Sequence, residues 1–112
     1  MSVSDAQRAA ESLRMEANAL RRETEKVESR AADYSRSGDS AKALEQIELV
    51  GQYNEKITGL EQQALKRDQE AQEQRKQADE VDREITQLRQ DTDSKIKELE
   101  NQKSNLLGRW YQ

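Results

Sequence analysis

The chain has 112 residues, of which 32% are apolar and 38% charged, and its net charge is only −4. Ordinary globular domains are roughly 45–50% apolar and about 25% charged. A compact core of usual size is therefore excluded, and a disordered chain or an elongated coiled coil remains.

The 19 basic and 23 acidic residues are interspersed, which favours a helix surface laced with ion pairs over a self-repelling tail. Cys and His are absent, so disulfides, thiolate chemistry and zinc spacing are absent with them. The remaining candidates for chemistry are carboxylates, Lys, Ser and Tyr at solvent-facing helix positions. Asp79, Glu80, Asp82 and Glu84, and likewise Asp91 and Asp93, fan around a helix instead of converging on a metal. The residues imply no enzyme, no cofactor and no metal. The basic doublets Arg21-Arg22, Lys66-Arg67 and Arg75-Lys76 each have acidic neighbours within a turn, so no basic stripe points to nucleic acid. No apolar run approaches about 18 residues, so no membrane insertion is expected. Residues 1–5 show no secretory leader pattern, and a cytoplasmic setting is the default.

In chain order, Ser4 with Gln7 reads as a capping box that opens the first helix. Apolar or small residues then recur at Val3, Ala6, Ala10, Leu13, Ala17, Leu20, Thr24, Val27, Ala31 and Tyr34. This 3-4-3-4 spacing is the signature of a coiled-coil seam. Residues 36–40 interrupt it. Gly38 can take the left-handed conformation that ends a helix, and Asp39 or Ser40 can cap the next one. A connection this short predicts a helical hairpin.

The return helix offers Leu44, Ile47, Val50 or Gly51, Asn54, Ile57, Leu60, and Ala64 or Leu65. Folded about Gly38, Tyr34 meets Leu44, Ala31 meets Ile47, Leu20 meets Ile57 and Leu13 meets Ala64 or Leu65. Val27 lands over Gly51, a close approach. Thr24 meets Asn54 in a polar layer that sets the register. Residues 1–74 make this antiparallel hairpin.

Residues 66–77 are good helix formers without Gly or Pro, and Ala71 is their one apolar side chain. A further seam follows at Ala78, Val81, Ile85, Leu88, Thr92, Ile96, Leu99, Lys103 and Leu106. Its 4-4-3 spacing between Leu88 and Leu99 is a stutter, which locally unwinds a left-handed supercoil. Exposed acid-before-base pairs such as Asp79–Arg83, Asp91–Lys95 and Asp93–Lys97 support the helix. The predicted fold is all-α: an antiparallel hairpin continuing into a long helix, whose arm over 75–107 oligomerises. The alternative is a three-helix bundle with a turn near 70–75.

The expected oligomer interface is Ala78, Val81, Ile85, Leu88, Ile96, Leu99 and Leu106. The tail over 108–112 holds the single Trp. Leu107, Arg109, Trp110 and Tyr111 are the expected partner-binding residues, because Trp, Tyr and Arg are enriched at binding hot spots. These features predict a non-enzymatic scaffold or adaptor that forms a homo-oligomer, a dimer or higher, and binds protein partners. The alternatives are a helical-hairpin secretion substrate, a chaperone-like subunit of a heteromeric complex, and a nucleic-acid-associated coiled coil.

Overall fold

The computed structural model describes residues 2–111, and side chains over residues 2–108. The chain is all-α, with helix α1 over Val3–Arg36 and helix α2 over Ser40–Tyr111. It is a helical hairpin continuing into a long helix. Residues 66–77 stay helical throughout, so the turn that a three-helix bundle requires does not form. The run has no residue that would break it. Gly108 does not end α2 either. Two units divide the chain, Met1–Gln74 and Arg75–Gln112.

Helix α1 begins two residues earlier than the Ser4 capping box implied. Ser2 is the N-cap: the Asp5 N–H donates to Ser2 Oγ at 3.1 Å, and the Ser2 N–H donates to Asp5 Oδ2 at 3.4 Å. Asp5 prevails over Gln7 because a carboxylate in the first turn also meets the positive end of the helix dipole. The Ser2 side chain first, and then its backbone N–H, hold the Asp5 carboxyl below its ordinary pKa.

At the other end Gly38 has φ 83°, a conformation in which any Cβ would be strained. The Asp39 N–H donates to Tyr34 O at 2.9 Å and the Gly38 N–H to Ser35 O at 3.2 Å. These two bonds form a Schellman motif and satisfy carbonyls that the helix end would otherwise orphan. Asp39 then caps α2, accepting from the Lys42 N–H at 3.2 Å. The Lys42 ammonium lies over the Tyr34 ring, 5.6 Å from its centre.

All ten seam positions expected on α1 are buried or half-buried. On α2 the inward positions are Ala43, Gln46, Val50, Tyr53, Ile57, Leu60, Ala64, Arg67, Ala71 and Gln74. Ala17, Ile57 and Leu60 form a buried cluster against which Leu13 and Leu20 pack. Leu13, Leu20, Ile57 and Ala64 are all buried or half-buried, as the expected register requires. Nearer the turn, α2 presents the residue one position earlier than expected. Leu44 and Ile47 are exposed, and Ala43 and Gln46 take their places. A strict seven-residue step runs through Ala43, Val50, Ile57, Ala64 and Ala71. Continuity of that phase outweighs the larger apolar area of two neighbouring side chains, because a one-residue shift turns a helix by about 100°.

Two further expectations fail for the same reason. Asn54 is exposed and Tyr53 points inward. Buried Thr24 therefore donates its hydroxyl to Leu20 O of its own helix at 2.7 Å instead of forming a polar layer with Asn54. A Cβ on Gly51 would meet nothing within 4 Å, so Gly51 is no site of close approach. The helices approach through alanines: Ala6, Ala10, Ala17, Ala43, Ala64 and Ala71 are all buried.

Gly51→Ala is expected to raise hairpin stability by roughly 1 kcal/mol, measured by urea unfolding. A depressed carboxylate pKa stabilises the fold above its unfolded value, and that contribution is lost as pH falls through the folded value. The first turn of α1 is therefore expected to fray under acid. In Ser2→Ala the Asp5 pKa, followed by NMR, returns toward its ordinary value.

Candidate interaction surface

The hairpin closes one apolar seam within itself, and the arm closes none. Within Met1–Gln74 the seam is closed by packing and flanked by ion pairs. Arg14 pairs with Asp68, and Arg21 pairs with Glu61 across the two helices. In each case a basic residue directly follows a large seam residue of α1, Leu13 or Leu20. Its acidic partner directly follows a seam residue of α2, Arg67 or Leu60. Such exposed pairs contribute little each, about 0–1 kcal/mol, but they select register and orientation.

Within the arm every expected interface residue is exposed. Val81 is 53% accessible, Ile85 40%, Leu88 65%, Ile96 47%, Leu99 50% and Leu106 63%, and Ala78 is exposed as well. Because helical residues three and four apart share a face, these side chains form a stripe along the arm. Single exposed apolar residues are ordinary, whereas the arm carries six large ones along one face, interrupted at Thr92 and Lys103.

The polar residues beside the stripe are engaged locally. Lys95 reaches Glu98 at 3.5 Å, where an Asp91–Lys95 pair was expected. Asp91 accepts from Gln87 at 3.0 Å. The acidic residues Asp79, Glu80, Asp82 and Glu84 are exposed. Among the described residues no three acidic side chains come together as a metal site would need. No helix among them is long and apolar enough to cross a membrane. Of the basic doublets, Arg21 binds Glu61 and Asn18, and Arg67 binds Glu70.

Of the expected partner-binding residues, Leu107 is 45% exposed. The side chains of Arg109, Trp110 and Tyr111 lie outside the described residues. On the hairpin, Leu44, Ile47, Leu65 and Met15 are also exposed, although the spacing of Leu44 and Ile47 suggested seam positions. A groove of about 400 Å³ beside Leu13 is lined by Ala9, Ser12, Gln63, Lys66 and Arg67.

No protein-family model matches the chain, and no curated protein or solved structure matches it.

The double substitution Leu44→Gln, Ile47→Gln is expected to leave hairpin stability within about 0.5 kcal/mol, because both side chains are already wet. Leu60→Ala, by contrast, is expected to cost roughly 2–4 kcal/mol. Thermal melts of the three proteins measure the difference.

Proposed function

We propose that this protein is a non-enzymatic coiled-coil scaffold or adaptor. The hairpin is its self-contained end, and the arm associates with another helix through the Ala78–Leu106 stripe. One contrast carries the reading. The same chain buries a seam of mostly small residues in the hairpin and leaves exposed the large apolar residues of the arm. Burial of an apolar side chain of that size is worth about 1.5–3 kcal/mol, so the stripe favours association strongly. The absence of Cys and His, and the wet, dispersed carboxylates, support a role in binding over one in catalysis. The tail residues Leu107, Arg109, Trp110 and Tyr111 are proposed as the contact with a further protein partner, since aromatic and Arg side chains anchor interfaces.

Light scattering of the whole chain is expected to give a multiple of 12.9 kDa. In Ile85→Glu, Leu88→Glu, two carboxylates would have to be buried without partners, which is costly. That variant is expected to fall to the mass of one chain and to keep the helical signal of the hairpin. A wild-type protein that stays a single chain at tens of micromolar, or a variant of unchanged mass, would contradict the proposal.

A further inference from the structure

The spacing of the arm seam is a palindrome. From Ala78 through Val81, Ile85, Leu88, Thr92, Ile96, Leu99 and Lys103 to Leu106 the steps read 3-4-3-4-4-3-4-3. Read from either end the series is the same, and Thr92 is its centre. The stutter that would offset two antiparallel helices therefore falls on the midpoint, where a two-fold axis brings the two stutters into register. In a parallel pair the position of the stutter would be immaterial.

Resting on the reading of the arm as an association surface, we infer that its occupant is the arm of a second copy of this chain, running antiparallel, with the two-fold axis at Thr92. Three observations carry this. The first is the layers. Ile85 comes level with the partner's Leu99, Leu88 with the partner's Ile96, and Ala78 with the partner's Leu106. Small faces large at the ends and large faces large near the middle. Within the hairpin, Ala17 clustered with Leu60 already shows the small-on-large arrangement.

The second is charge at the flanks. Glu84, directly before Ile85, comes beside the partner's Lys95, which directly precedes Ile96. Arg89, directly after Leu88, comes beside the partner's Glu100, which directly follows Leu99. Glu84, Arg89, Lys95 and Glu100 are all exposed. The two-fold axis doubles each pair, so four unlike contacts arise. The Arg89 contact has the placement that the hairpin uses for Arg14 with Asp68 and Arg21 with Glu61.

The third is Lys103. A parallel in-register pair also sets unlike charges side by side, Glu84 with the partner's Arg89 and Lys95 with the partner's Glu100. It stacks Lys103 on the partner's Lys103 in one seam layer, however, and like charges so placed repel. The antiparallel pair sets Lys103 against the partner's Val81. There its methylene stem covers apolar surface and its ammonium reaches water, beside the oppositely charged carboxylate of the partner's Asp82.

The chain has no native cysteine, so disulfide trapping reports the orientation. Two whole-chain variants, Ile85→Cys and Leu99→Cys, carrying different tags, are unfolded and refolded together, and also separately, and then oxidised. The expected result is a disulfide-linked pair between the two variants in the mixture and none in either alone. Self-linkage of Ile85→Cys alone would show a parallel pair and overturn the inference. So would absence of any linkage in a mixture that light scattering shows to be associated. In both cases the arm remains an association surface. A wild-type chain found to be monomeric overturns both proposals.

Charge reversal gives an independent readout. Glu84→Lys is expected to weaken the dimer about tenfold. Adding Lys95→Glu to the same chain is expected to restore it, because the antiparallel contact is merely exchanged. In a parallel pair the second change would set a new carboxylate against the partner's Glu100 and weaken association further, which would overturn the inference.

Discussion

The apolar seam of α2 is longer than anything within the chain can cover, and the rest of the structure depends on that constraint. Helix α1 has 34 residues and α2 has 72. Turned back at Gly38, α1 runs out at the level of Gln74, where Val3 is half-buried. Up to that level the seam is closed. In the arm the large apolar side chains are exposed. A helix within a folded protein draws most of its stability from packing of its apolar face, so the two units stand in different energetic situations although one helix runs through both.

The hairpin meets its constraint with small side chains. Its buried positions are dominated by alanine, and Val27 is the largest side chain that is fully enclosed. Alanine contributes little transfer free energy per residue, but it has the highest helix propensity and lets two backbones come close. The ends are secured by local hydrogen bonds: the Ser2–Asp5 box at the start and the Schellman motif with the Asp39 cap at the turn. Ion pairs across the helices then discriminate one register from its neighbours. Six of the nine seam positions of the arm are Val, Ile or Leu, side chains that gain much from burial. The two halves of one helix thus differ in the side chains they carry along the seam, small in the hairpin and large in the arm.

Much of this architecture was legible in the sequence, because the relevant physics is local or periodic. The seam of α1, the Gly38 turn and the unbroken helix through 66–77 follow from spacing, from the one left-handed position and from the want of breakers. The register of α2 near the turn was not legible in the same way, because Leu44 and Ile47 are more apolar than Ala43 and Gln46. The correct signal was the seven-residue step through Ala43, Val50, Ile57, Ala64 and Ala71, which Leu44 and Ile47 do not share. The Ser4 capping box failed because two serines compete there, and only Ser2 has a carboxylate three residues on.

By itself, then, the sequence determined the helices, the turn between them and the existence of two seams, since heptad spacing and helix punctuation act over a few residues. Tertiary packing decided which one-residue phase of α2 faces α1. It also turned Thr24 back onto its own helix, left Gly51 without a neighbour and chose which charges pair across the hairpin. Those outcomes depend on where the second helix lies, and a rotation of about 100° per residue exchanges one set of contacts for another while leaving the local preferences of both helices unchanged.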